Sequence, residues 1–174
     1  PGLLGPDRIE EQRRNQLAAI PVLEALEPES PLVLPAATPA ELALQQLLAA
    51  HGHCLMVADD DWVLGLVTLE DLQRPISAGA GQRPLADCRR SDLIWLSDDA
   101  NLAELEDQLR PNGLRQVPVF HLDDPDLPKL PVGPPSGGLP VAALQGVASR
   151  DGMARAVARE AAARSLAQPA LTAE

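Results

Sequence analysis

The chain has 174 residues, enough for one domain or two small ones. Hydrophobic residues make up 45% but aromatics only 2%, so any core must be built from Leu, Val, Ile and Ala. A formal net charge of −11 opposes binding to nucleic acid or to anionic lipid, both of which need a basic face.

Eighteen prolines predict short elements and irregular joints. No stretch approaches the roughly 18 continuous apolar residues of a membrane span, so direct membrane insertion is not expected. Two cysteines, Cys54 and Cys88, make no disulfide framework, and Cys54 reads as a small buried hydrophobe. Beginning at Pro1 without Met, the sequence is expected to be a piece of a longer polypeptide.

Taken in order, residues 1–6 read as an irregular leader, and Asp7 as the cap of a polar helix to about Ala19. Its apolar stripe, Ile9, Leu17 and Ile20, is too thin to stand alone and needs an outside surface to pack on. Pro21 interrupts, and residues 22–26 form one further turn. Residues 32–34 are a short strand. Thr38-Pro39-Ala40-Glu41 predicts a capping box with Pro at the first helical position, and Leu44, Leu47 and Leu48 the buried face of the ensuing helix.

Gly52 ends that helix. Residues 54–58 and 62–67 form a hairpin around Asp59-Asp60-Asp61, and a helix from Thr68 is expected to stop at Pro75. After a linker at 77–83 the order repeats. Residues 93–96 are a strand, and Asp98 or Asp99 caps a helix with Leu102, Leu105 and Leu109 inward. Pro111-Asn112-Gly113 ends it. Residues 116–121 and 144–148 are strands, and the last helix opens at Ser149. Residues 123–138, rich in Pro, Gly and Asp, are expected to be a mobile insert between those strands. The last helix carries Arg155, Arg159 and Arg164, read as a solvated face rather than a docking site. The tail is expected to be disordered.

The chemistry-bearing stretch is Leu64-Gly65-Leu66-Val67-Thr68-Leu69-Glu70-Asp71-Leu72, a strand running directly into a helix. Thr68 suits the N-cap, and Asp71 places a carboxylate in the first turn. The signal recurs at Gln145-Gly146-Val147-Ala148-Ser149-Arg150-Asp151-Gly152, and a repeated unit is an architectural statement. His51-Gly52-His53-Cys54 brings zinc-type ligands together but lacks a second ligand set, so no metal site is expected. No Ser/His/Asp arrangement, P-loop or dinucleotide fingerprint is present, and the chain is not expected to be an enzyme.

Two strand-helix-strand-strand-helix units, each ending in Gly, two apolar residues and Thr or Ser before a helix, resemble a tandem pair of CBS domains, the Bateman module. Ile20-Pro21-Val22, Val67-Thr68-Leu69-Glu70-Asp71-Leu72 and Leu114-Arg115-Gln116-Val117-Pro118-Val119-Phe120 are more narrowly similar to the cytoplasmic C-terminal domain of CLC-type chloride channels and transporters. The resemblance implies an α+β fold of two β-α-β-β-α repeats related by a pseudo-twofold axis. It divides the chain into an N-terminal helical segment (1–30) leading from a membrane domain, a first repeat (31–76), a linker (77–84), a second repeat (85–164) and a tail (165–174).

It further implies a non-catalytic regulatory domain on the cytoplasmic face of a cell membrane, a homodimer beneath the membrane domain of the same polypeptide. ATP, ADP or AMP would be a regulatory ligand rather than a cofactor. One cleft would use Thr68 and Asp71 with Arg115 and Gln116. The other would use His53, Cys54, Ser149 and Asp151, and is expected to be weak or empty. There the position three after Ser149 is Gly152, and Asp151, one residue early, is turned by roughly 100°. The alternatives are a CBS module of another transporter or of a metabolic enzyme, or a dimerisation module without ligand.

Overall fold

The duplication is visible in strand register. In the computed structural model, which describes residues 5–89, 93–122 and 138–168, strand β1 (Val33–Pro35) runs parallel to β2 (Cys54–Asp59). Strand β2 is antiparallel to β3 (Trp62–Thr68), pairing Cys54 with Thr68 and Val57 with Gly65, and the register shifts between Val57 and Ala58. The second half repeats each step. Strand β4 (Leu96–Ser97) is parallel to β5 (Gln116–Phe120), and β5 is antiparallel to a later strand, Leu144–Ser149. Gln116 pairs with Ser149 and Val119 with Gly146, and the register shifts between Val119 and Phe120. Cys54 is therefore the counterpart of Gln116, and Thr68 of Ser149.

These two counterparts also meet. Cys54 Sγ donates to Gln116 Oε1 at 3.3 Å. Contact between a residue and its own equivalent places a pseudo-twofold axis there, as in an isologous interface. Strand alternation does the rest. Leu55, Val57 and Val67 face the helices of their own half, whereas Cys54, Met56 and Leu66 join Val117, Val119 and Phe120 in a core shared by both halves. The fold is thus α+β with two mixed sheets.

Helix α1 (Pro6–Ala18) is capped at Gly5, not at Asp7, because Pro6 takes the first helical position. Its thin stripe finds the outside surface it needs on a later helix, α5 (Leu102–Asn112). Leu17 and Ile20 are buried while Ile9 stays 56% exposed. Arg13 pairs with Glu106 at 2.9 Å and Arg14 with Asp107 at 2.8 Å. The two guanidiniums hold both carboxyls below the usual carboxylate range. A 3₁₀ turn (Val22–Ala25) comes next, and Val22 N–H donates to Ala100 O at 2.8 Å.

Several helix boundaries differ from the sequence expectation. Helix α2 (Ala40–Ala49) has Pro39 at its N-cap, and Thr38 makes no side-chain cap. The amides of Ala40 and Glu41 instead donate to the carbonyls of Arg83 and Gly81, contributed by the linker. The buried face is Ala40, Ala43 and Leu47, with Leu44 half-buried and Leu48 56% exposed, because small alanines allow close approach. Helix α3 (Leu69–Ser77) carries Pro75 inside it and continues past the expected stop.

A short helix, α4 (Leu85–Cys88), stands just after the linker, where no helix is expected from the sequence. The expected strand at 93–96 shrinks to β4, although Leu93, Ile94 and Trp95 still pack on the core. Helix α5 is capped by Asn101, whose side-chain oxygen accepts from Glu104 N–H at 3.0 Å. Neither Asp98 nor Asp99 takes that place; Asp98 pairs with His121 at 2.7 Å.

The expected mobile insert, 123–138, lies outside the described residues except for Gly138. Directly after Gly138 the chain departs from the simple repeat. Strand β6 (Leu139–Pro140) crosses to the first sheet and pairs with Trp62 and Val63 on β3. The second sheet closes with β7 (Leu144–Ser149), bridged at Ala148 by Leu26. One edge of each sheet is thereby met by chain from outside its own repeat. Helix α6 (Arg150–Ala167) extends past 164, so the expected tail begins in helix. Residues 169–174 lie outside the described residues.

Candidate functional site

Two clefts open where the strands of the halves meet. One, of ≈330 Å³, is lined by Thr68, Leu69, Glu70 and Gln73 from the first repeat and by Gly113 to Gln116 from the second. The other, of ≈370 Å³, is lined by Ser149, Arg150 and Asp151 and by the segment from Glu29 to Leu32. His53, Cys54, Arg115 and Gln116 line both, so the Cys54–Gln116 contact is the partition between them.

Thr68 is held by a reciprocal capping box. Asp71 N–H donates to Thr68 Oγ1 at 3.3 Å, and Thr68 N–H donates to Asp71 Oδ2 at 3.0 Å. The hydroxyl's own hydrogen has no acceptor among the described residues. It lies at the start of α3, where the helix dipole favours an anion. Of the residues expected together here, Thr68, Arg115 and Gln116 line the cleft, whereas Asp71 stands behind Thr68 in the capping box and outside the lining. The Arg115 side chain is exposed and has no hydrogen-bond or ion-pair partner among the described residues.

The other helix start is built differently. Ser149 is buried and accepts from Gly152 N–H at 2.7 Å, and its hydroxyl donates to Glu27 Oε1. Arg155 holds the second oxygen of Glu27 at 3.2 Å. Glu27, 122 residues earlier in the chain, thus meets the hydroxyl whose own helix lacks an acid at its third position. That lack has a packing cause. A Cβ on Gly152 would run into the carbonyl oxygen of Ala25 and lie 2.8 Å from its carbon. Asp151, His53 and Cys54 line this larger cleft together with Glu27, which the sequence reading missed. No spacing rule reaches across 122 residues; the one available signal was the missing acid itself.

Burial pushes the Cys54 thiol up to about 12, and that of Cys88 up as well. Cys54 is therefore a packing and hydrogen-bonding group, not a nucleophile. At about pH 7.5, iodoacetamide should alkylate the less buried Cys88 and spare Cys54 until the chain is unfolded in urea, read by peptide mass. Rapid native labelling of Cys54 would contradict the packing described. Among the described residues, no group of three or more His, Cys, Asp or Glu is placed to hold a metal ion.

Comparison with known proteins bears on this geometry. Residues 23–78 match the family model of the CBS domain. Beyond the first repeat the likeness is one of fold, and it spans both halves. The CBS domain pair of protein MJ0100, solved with 5′-methylthioadenosine and S-adenosyl-L-methionine, superposes with a TM-score of 0.60 at 13% identity, over 80% of this chain and 97% of that one. CBSX2 in complex with AMP gives 0.60 at 20% identity, over 82% and 98%. The CBS domain of a bacterial CNNM/CorC family Mg2+ transporter gives 0.59 at 14% identity, over 88% and 86%. The fold is that of a tandem CBS module. No chloride channel is among these three structures, and no curated protein sequence matches the chain.

Proposed function

We propose that this CBS module is a non-catalytic sensor that binds an adenine nucleotide in the Thr68 cleft and regulates a membrane transport protein. The observation that carries it is the pairing, in one cleft, of the Arg115 guanidinium with a helix-start hydroxyl, the guanidinium and the hydroxyl hydrogen both uncommitted among the described residues. Both suit a phosphate. Leu69 gives apolar surface for a base, and Glu70 and Gln73 give polar groups for a ribose. Asp71 orients Thr68 from behind. The AMP, methylthioadenosine and S-adenosylmethionine held by the CBS proteins named above support this ligand class.

In this reading the transport protein is of the CLC chloride-channel type, for which the sequence resemblance argues. The module lies on the cytoplasmic face of the membrane as a homodimer, attached to the membrane domain of the same polypeptide. The Mg2+ transporter CBS domain favours a second reading, a module of another transporter class. Among the described residues no helix is long and apolar enough to cross a membrane. A nucleotide biases transport only by binding one arrangement of the module more tightly than another.

AMP at about a hundred times its Kd should raise the melting temperature by about 5–10 °C, from about 2.7 kcal/mol of linkage. Thr68→Val should lose most of that rise, judged against the variant's own ligand-free melting temperature. No rise with AMP, ADP or ATP in the wild type would leave a dimerisation module without ligand.

A further inference from the structure

The two clefts differ in what they can offer a second anion. We propose that Arg115, which lines both clefts at their partition, is a shared phosphate contact, so that each chain holds one phosphate-bearing nucleotide at a time. This rests on the nucleotide reading above and adds stoichiometry and coupling to it.

The charges lining each cleft decide the matter. With Arg115 committed to the larger cleft, the smaller one keeps Glu70 as its formally charged side chain. With Arg115 committed to the smaller cleft, the larger keeps Arg150 against Glu27, Glu29 and Asp151. Whichever cleft fills second therefore presents a net negative lining to a phosphate, inside a chain already at −11. One guanidinium makes its forked contact with one phosphate at a time. Arg150 is a poor substitute, because its guanidinium already reaches the carbonyl of Leu114 at 3.4 Å. Occupancy of one cleft is thus felt in the other without any movement of the backbone.

The pseudo-twofold axis supplies a gain-of-function test. The amide of Leu69 donates to His53 O, as that of Arg150 donates to Arg115 O, so His53 is the counterpart of Arg115. Isothermal titration of the full chain with AMP should give one site per chain. Arg115→Gln should weaken that site about 10- to 100-fold, the worth of a charge-assisted hydrogen bond. His53→Arg, which restores a guanidinium to each half, should give two sites.

Two equal sites in the wild type would overturn the sharing and leave the nucleotide reading intact. A rise to two sites in Glu27→Gln would also overturn it, because the Glu27 carboxylate would then be what closes the second cleft. Undiminished affinity in Arg115→Gln would do the same. Absence of AMP binding to the wild type would remove the nucleotide reading and this inference together.

Discussion

Gly152→Asp, the substitution that would complete the second repeat's capping box, is expected to destabilise the chain by about 3 kcal/mol or more and to create no second nucleotide site. Two effects of opposite sign compete. Replacing a helical glycine by a residue with a Cβ gains up to about 1 kcal/mol of helix propensity. Against that, the new Cβ meets the backbone carbonyl of Ala25 and stands 3.0 Å from Ser149 Oγ. Neither the helix backbone nor that carbonyl can rotate away, unlike the end of a flexible side chain. The 3₁₀ turn would have to lift off α6, and with it the bond from Glu27 N–H to Val147 O at 2.8 Å. Urea titrations of Gly152→Ala and Gly152→Asp separate the clash from the added charge. A midpoint raised in Gly152→Ala would show that the turn yields cheaply and that the missing acid has some other cause.

That residue also marks the boundary of what the sequence makes legible. The two-unit architecture could be read because its signals are local: a strand, a hydroxyl and a helix start in one short stretch, twice. The departure at Gly152 was legible too, but its cause was not, since Ala25 approaches from far earlier in the chain. The same limit explains the misplaced helix starts. Thr38 has a capping sequence, yet the linker carbonyls of Gly81 and Arg83 already satisfy the amides it would serve. Asp98 has a capping side chain, yet His121 on the neighbouring chain segment claims it. Leu48 fits a helical stripe by spacing, but the close packing of α3 against α2 sets the buried face on Ala40, Ala43 and Leu47. Local chemistry proposes a partner, and tertiary contacts dispose of it wherever a nearer partner exists.

The site divides along the same line. Thr68 and the Asp71 carboxylate were readable as a pair because a capping box joins residues only three positions apart. Arg115 and Gln116 came only through the family resemblance, and their double exposure to both clefts is a property of the axis that no single strand carries.

Phe120→Ala is expected to cost about 3–5 kcal/mol, a large share of the roughly 5–15 kcal/mol by which such a chain is folded. Phe120 is the single phenylalanine of a chain without tyrosine, and it is fully buried in the core shared by the two halves. Trp95 meets it edge-on, with ring centroids 6.0 Å apart at 89°, a geometry that adds to simple burial. Aliphatic neighbours cannot fill the space of a ring without leaving their rotamers, so a cavity remains. The functional consequence should be small, because Phe120 ends β5 while Gln116 begins it, about 13 Å away along an extended strand. Urea titration should therefore show a lowered midpoint while AMP affinity, measured well below the melting temperature, stays within about twofold. A parallel fall in affinity would mean that the partition between the clefts is set by the core and not by the strand starts themselves. A loss under about 1 kcal/mol would place the centre of the fold elsewhere than at the seam where the two repeats bury their facing sheets.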